Sequence, residues 1–423
     1  MKSIKKTSSR CTFCNKDVKS EIIEDNNKIF LIKHCKSHKN KKILLSSNSK
    51  IYENLLNNYS PLNFDKNNDE IYYNLDISSL PKTGYKKFLN EILKDMHQIK
   101  IGIWGKEPTD YEILPKIINI IKQSKNIPAL YTDGIHCADF VYISQLKKIG
   151  LNNVYITIEG LTNIVYQKLY KKNTLEYKIK ALKNLRKLNI STSIRTPVIK
   201  GINDDELLKI IELSIKYTNV KCLMFQTEYF KKSNSINRIT IEEIIDILNV
   251  STNNRISNTK ILSTQILMYS IFNALNIKKA FCNRDIPILR NNNIKNSKFI
   301  FEMINTKKIA NNIREYKKIK HNTLSKLFLF TAILININST NVFFLIPLIA
   351  KIIKGKILGK RTLLSDIGND ILLLSFIDPC TNKTYDSVSR KNCPLGEITY
   401  PKGINKSLAK SIVSNNNNSY MRY

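Results

Sequence analysis

The sequence predicts an α/β protein: a partial β/α barrel set between a small N-terminal Cys/His metal module and a mainly helical C-terminal region. Three observations lead there. The first 60 residues gather three cysteines and two histidines, at positions 11, 14, 34, 35 and 38. From about residue 70 to 230, short apolar strands alternate with amphipathic helical segments, as in β/α units on a parallel sheet. Beyond Asn237 the apolar residues recur mainly at helical spacing. The boundaries that follow are a metal-binding module at 1–60, a barrel at 61–235 and a helical region with apolar segments at 236–423.

A chain of 423 residues, 42% hydrophobic and 9% aromatic, has enough apolar material for a substantial core. Its 68 Lys+Arg against 34 Asp+Glu give a net charge of +34. Such a charge suits phosphate-bearing partners, nucleic acid or anionic lipid. The excess of Lys, Asn and Ile is spread along the whole sequence, as in 291–298 and 414–419, and so reads as compositional drift rather than a selected patch. The lysine-rich N-terminus carries no apolar leader, and the clustered thiols fit a reducing, cytoplasmic setting.

In the module, Cys11-Thr-Phe-Cys14 lets two thiolates reach one metal from a tight turn, and Cys35 with His38 closes a tetrahedron from a second turn. Three thiolates and an imidazole suit structural zinc better than a rubredoxin-like iron, with zinc or iron left open. His34 competes with His38, and spacing does not choose between them. Ile29–Ile32 reads as a strand. The remaining cysteines, at 137, 222, 282, 380 and 393, are scattered and read as structural thiols.

The barrel strands are placed at Ile71–Ile77, Ile99–Trp104, Ala129–Thr132, Asn153–Ile158, Ser191–Thr196 and Cys222–Thr227, with helices at Glu112–Gln123, Phe140–Leu146, Thr174–Leu188 and Asp204–Lys216. Gly105-Lys106-Glu107-Pro108 falls at a strand's C-terminal end, where parallel β/α folds bind ligands. Beyond the barrel, Thr240 and Glu243 form a capping box that opens a helix. Leu327–Ile335 and Val342–Ala350 are apolar, but Asn336–Asn341 interrupts them. A spanning helix needs about 20 apolar residues in a row, so two packed helices are expected, and no integral membrane segment.

Along the chain stand Gly105–Pro108, then Tyr131-Thr-Asp-Gly134, Tyr155-Ile-Thr-Ile-Glu-Gly160, Ile194-Arg-Thr-Pro-Val-Ile-Lys-Gly-Ile-Asn203 and Phe225-Gln226. In this order they resemble the core of radical S-adenosylmethionine (radical SAM) proteins, which implies a partial barrel of that type. Arg238-Ile-Thr-Ile, Ile377-Asp378-Pro379, Tyr385-Asp386, Arg390-Lys-Asn-Cys393 and the N-terminal Cys/His spacing are similar to the archaeal tetraether lipid synthase branch. The resemblance implies S-adenosylmethionine at Gly105, Lys106, Glu107, Pro108, Thr132, Asp133, Gly134 and Arg195.

The sequence departs from that family at its chemical centre. Members hold a [4Fe–4S] cluster with a CxxxCxxC loop after the first barrel strand. Here no cysteine occurs between Cys35 and Cys137, and Ser78-Ser-Leu-Pro81 directly follows the first strand. Lys106 replaces a glycine and places a cation where the cofactor's ammonium is expected. No catalytic residue is assigned. The expectation is a cluster-deficient, catalytically silent binding or scaffold subunit, its partner an active paralogue, with contact to anionic lipid at a membrane surface. The alternatives are an active iron–sulfur enzyme that couples or modifies lipid alkyl chains, and a basic nucleic-acid-binding protein. For the last, no basic recognition helix or aromatic platform is evident.

Overall fold

The computed structural model describes residues 1–58, 72–227, 238–274, 283–306, 308–309, 369–379, 395–400 and 403–405. The N-terminal module is an antiparallel meander of β1 (Lys2–Arg10), β2 (Asp17–Asp25), β3 (Lys28–His34) and β4 (Lys41–Ser46). Asn26 and Asn27 both take positive φ, 49° and 58°, in the two-residue turn between β2 and β3, which matches the twist of a tight hairpin. Ile22, Ile29, Leu31 and Ile43 pack together, with Tyr52 of α1 (Ser49–Asn58) against them.

The second sheet is built mostly of parallel strands. β5 (Tyr72–Asp76), β6 (Lys100–Trp104), β7 (Ile127–Thr132), β8 (Asn153–Thr157), β9 (Ser191–Val198) and β10 (Val220–Thr227) lie side by side in chain order. The helices between them are α2 (Tyr85–Leu93), α3 (Leu114–Gln123), α4 (Phe140–Ile149), α5 (Asn163–Tyr170), α6 (Leu175–Lys187) and α7 (Leu207–Lys216). Sequential order with a helix at each crossover is the winding of a barrel-type fold.

The expected strands and helices therefore lie within a few residues of their places. The helical reading of 236–423 holds for α8 (Ile241–Ser251), α9 (Asn258–Ala274) and the short α10 (Ile300–Met303), and strands complete the described part of that region. Parallel β13 (Ile371–Ile377) extends the sheet beyond β10, with β11 (Asn283–Leu289) and β12 (Lys298–Phe299) antiparallel outside it. On the other side β14 (Leu395–Thr399) pairs parallel with β5 and carries β15 (Gly403–Asn405). Leu372, Leu373 and Leu374 are all buried. A strand covered on both faces reads as a continuous apolar run, which periodicity does not separate from a helix.

Alternation along each strand sorts the two faces of the sheet. One face carries Leu75, Ile101, Ile103, Leu130, Ile156, Ile194, Leu223 and Phe225 into the main core beneath the helices. The other carries Asn74, Asp76, Trp104, Tyr131, Tyr155, Arg195 and Gln226, and this polar, aromatic face forms the lumen. The apolar runs Leu327–Ile335 and Val342–Ala350 lie outside the described residues, and no described helix is long and apolar enough to cross a membrane.

Candidate functional site

Two side-chain constellations carry chemistry, and the first is the metal module. The Cys11 N–H bonds the Lys16 carbonyl at 2.9 Å and the Asn15 N–H bonds the Cys11 carbonyl at 3.0 Å, closing a knuckle between β1 and β2. A second turn joins Cys35 to His38 between β3 and β4. The ligand atoms of Cys11, Cys14, Cys35 and His38 all lie within 4.8 Å of one another. His38 Nδ1 is 3.4 Å from the Cys35 sulfur and 3.6 Å from that of Cys11, while the Cys14 and Cys35 sulfurs are 3.9 Å apart.

His34 lies exposed at the end of β3, paired with Lys19 across the ladder, so geometry selects His38. The Phe13 ring stacks on His38 at 5.2 Å. Burial works to raise the Cys11 pKa, but the N–H groups of Cys14 and Phe13 outweigh it and lower the thiol to about 7. Four converging donors, one of them readily ionised, fit a tetrahedral metal.

The second constellation is the C-terminal rim of β5–β7. Asp76 ends β5, and its Oδ1 accepts from the Ser78 N–H at 3.0 Å and the Ser78 hydroxyl at 2.5 Å. The Ser79 hydroxyl donates to the Asp76 carbonyl at 2.7 Å. The first barrel strand thus runs straight into a tight turn at Ile77–Ser79, where the family's cluster loop is expected. Gly105 has φ +129°, and a Cβ there would lie 2.6 Å from Asp76 Oδ1, so this glycine is required by the β5 turn.

The Glu107 carboxylate ties β6 to β7. Its Oε1 accepts from the Thr109 N–H at 3.1 Å, the Thr109 hydroxyl at 2.5 Å and the Thr132 hydroxyl at 2.7 Å; its Oε2 accepts the Asp133 N–H at 2.8 Å. Thr132 also receives the Gly134 N–H at 3.0 Å. Burial, and then the Asp133 charge, raise the Glu107 pKa; burial likewise raises that of Asp76. A bound ammonium would relieve the Glu107–Asp133 repulsion, and Oε2 keeps a lone pair for it. The rim fits the ammonium end of S-adenosylmethionine on those grounds.

It does not fit a [4Fe–4S] cluster. Cys137, the nearest thiol in sequence to Gly134, is fully buried, and burial raises its pKa well above the usual thiol range.

Of the eight residues expected at the cofactor, Gly105, Glu107, Pro108, Thr132, Asp133 and Gly134 converge here. Lys106 is exposed beside them. Arg195 lies deeper, on the β9 lumen face, with its guanidinium 5.3 Å from the Tyr131 ring centroid.

The motifs after β8 and β9 prove to be buried anchors, which the sequence reading had not identified. Glu159 pairs with Lys178 of α6 at 3.0 Å, both almost wholly buried, and accepts the Tyr170 hydroxyl at 2.7 Å. Asn203 donates to the Glu159 carbonyl at 2.6 Å and the Pro197 carbonyl at 2.8 Å. Glu206 accepts the Leu161 N–H and, at 2.6 Å, the Thr162 hydroxyl.

Arg238 joins the module to the barrel. It donates to the Leu44 carbonyl of β4 at 3.1 Å, to the Thr227 hydroxyl at 2.7 Å and to Asp378 at 2.5 Å. The capping box of Thr240 and Glu243 is present as expected, and the Thr240 hydroxyl lies 2.8 Å from that of Ser47.

Comparison with known proteins agrees with this division. The family model described as the Radical SAM superfamily matches residues 74–214, and that described as the HMPTM N-terminal zinc ribbon domain matches residues 3–47. A 7,8-dihydro-6-hydroxymethylpterin dimethyltransferase of Methanocaldococcus jannaschii is 24% identical over 302 residues, 60% of this chain and 60% of that protein. A GTP 3',8-cyclase of Petrotoga mobilis is 29% identical over 27% of this chain and 36% of the cyclase. The chain thus spans less than two thirds of either relative.

Archaeal TYW1 shares 18% identity with a TM-score of 0.31, covering 55% of this chain and 85% of that one, an overlap too low to add to the fold assignment. The order of strand-end turns, the sheet and the family match at residues 74–214 together make this chain a member of the Radical SAM superfamily.

Proposed function

We propose that this chain binds a small ligand such as S-adenosylmethionine at the rim of β5–β7 and acts as a cluster-deficient binding subunit rather than a radical enzyme. The observation that carries the reading is the path of the chain after β5. Asp76, Ser78 and Ser79 close a tight turn on themselves, and the sequence from residue 36 to 136 contains no thiol. Three thiolates are what a site-differentiated cubane needs from its loop, and no thiolate is at hand.

A second reading is that the chain is an enzyme of the kind its relatives' names describe, acting on a pterin or a nucleotide. It is favoured by the colinear matches to the zinc ribbon and the Radical SAM domain and by the similarity to the pterin dimethyltransferase over 60% of both chains.

Metal and sulfide analysis of protein purified without oxygen separates the two. The binding reading expects about one metal per chain, no acid-labile sulfide, and no 5′-deoxyadenosine when reductant and S-adenosylmethionine are added. About four irons and four sulfides per chain, with 5′-deoxyadenosine formed, would overturn it in favour of the enzyme.

A further inference from the structure

The lumen below the rim holds a cation that the protein leaves without a counter-charge. Arg195 is half-buried on β9, in the lumen-facing row with Thr157 of β8 and Met224 of β10. Its Nη2 donates to the neutral Gln226 Oε1 at 3.2 Å, and one face of the guanidinium lies over Tyr131. Among the described residues no carboxylate forms an ion pair with it. The protein's other inward arginines are treated differently. Arg238 pairs with Asp378, Arg255 with Glu302 and Arg284 with Glu242, while Arg290 spends its donors on backbone carbonyls such as those of Ser214 and Tyr217.

The surroundings of Arg195 are aromatic and built to one shape. Tyr72 on β5 donates its hydroxyl to that of Tyr131 on β7 at 2.8 Å, reaching across the intervening β6. It does so over Gly102, where a Cβ would collide with the Tyr72 hydroxyl and the Tyr131 ring. Tyr155 stacks on Tyr131 with centroids 4.4 Å apart and an interplanar angle of 12°. The floor of the lumen is therefore a rigid tyrosine platform with a guanidinium at its edge. A guanidinium has five N–H donors in a fixed fork, and Gln226 takes one. An uncompensated, partly desolvated fork of this kind matches a planar oxyanion held by two parallel hydrogen bonds.

We infer that the lumen is a second ligand site, in which Arg195 anchors the carboxylate or phosphate of a ring-bearing small molecule lying against the tyrosine platform. The inference rests on the strand-end cleft being a binding site, and it differs from that reading in ligand and place. The rim presents carboxylates for a cation, and the lumen presents a cation for an anion. The anchor is a binding residue, with no bond made or broken.

The single tryptophan, Trp104, ends β6 on the lumen face and reports on both places by its fluorescence. Benzoate, phenyl phosphate and the uncharged benzamide are titrated into the full chain, with S-adenosylmethionine in a separate arm. The expected result is saturable binding of benzoate or phenyl phosphate, with benzamide at least about tenfold weaker. Whichever anion binds better identifies the carboxylate or phosphate source. Arg195→Met should lose about tenfold or more of that affinity and Arg195→Lys should keep part of it, both with an unchanged melting temperature and unchanged S-adenosylmethionine binding.

Equal binding of benzamide, or anion binding undiminished in Arg195→Met, overturns the inference while leaving the rim reading intact. Loss of S-adenosylmethionine binding in Arg195→Met would place Arg195 in the rim site and also overturn it. Failure of S-adenosylmethionine to bind wild type, with the anions binding as expected, removes the rim reading alone.

Discussion

Two buried or clustered side-chain sets govern what single substitutions should do. Glu159 and Lys178 lie 3.0 Å apart with essentially no solvent contact, and the Lys178 ammonium also donates to the Thr157 carbonyl at 2.7 Å. Removing one partner of such a pair leaves an uncompensated charge and costs roughly 3–5 kcal/mol, whereas replacing both with apolar groups costs far less. Lys178→Met should therefore lower the urea midpoint sharply, and Lys178→Met with Glu159→Leu should recover most of it; equal losses in the single and double variants would show that the pair is not energetically coupled. At the metal module, His38→Ala should lose stoichiometric metal and His34→Ala should keep it, read by elemental analysis. The module's ligands are legible in the sequence because the chain is local there and thiolate spacing alone brings them together. Lys178 is not, since a lysine inside an amphipathic helix reads as solvated until the tertiary fold covers it.

At the scale of elements, the β6 and β7 turns are joined by the Glu107 carboxylate, and this makes the rim sensitive to pH. The Glu107 pKa is raised, by burial first and by Asp133 second, so the folded state binds this proton more tightly than the unfolded chain does. A carboxyl raised on folding favours the fold most below its unfolded pKa, and that contribution is lost as pH climbs through the raised value. Between about pH 4 and 7 the unfolding free energy of wild type should fall more steeply than that of Glu107→Gln, which has no proton to release. Parallel slopes in urea titrations across that range would remove Glu107 as the source. The glutamine variant also loses the acceptor for one of its donors, so its absolute stability is lower at every pH and the slope is the quantity to compare. The strand order and the turns that bear these residues are legible, because period-two apolar runs fix the register of each strand. The internal use of Glu107 is not, because no sequence pattern tells a carboxylate bonded by its own turn from one offered to a ligand.

Across the whole molecule, the metal module and the barrel meet at one guanidinium. Arg238 reaches Leu44 of the module, Thr227 at the end of β10 and Asp378 at the end of β13, three segments far apart in the chain. In the sequence, Arg238-Ile-Thr-Ile and Ile377-Asp378-Pro379 are separate resemblances, and nothing in their spacing says that they share an ion pair. The strand β13 that delivers Asp378 is hidden by the same ambiguity, a short apolar run between long polar stretches. Because Arg238 is 5% exposed, its bonds to β4 and to Asp378 are screened little by solvent, and disorder in one partner should be felt by the other. Metal binding in modules of this size is folding free energy, so chelation should release β1–β4 and with them the Leu44 carbonyl. Hydrogen exchange on wild type should then rise on chelation both in residues 1–46 and at residues 376–379, whereas in Arg238→Met it should rise in 1–46 alone, residues 376–379 being already faster and indifferent to the metal. If chelating the wild type leaves exchange at 376–379 unchanged, the module and the barrel are independent bodies, and the three-way contact of Arg238 holds them together without passing anything between them.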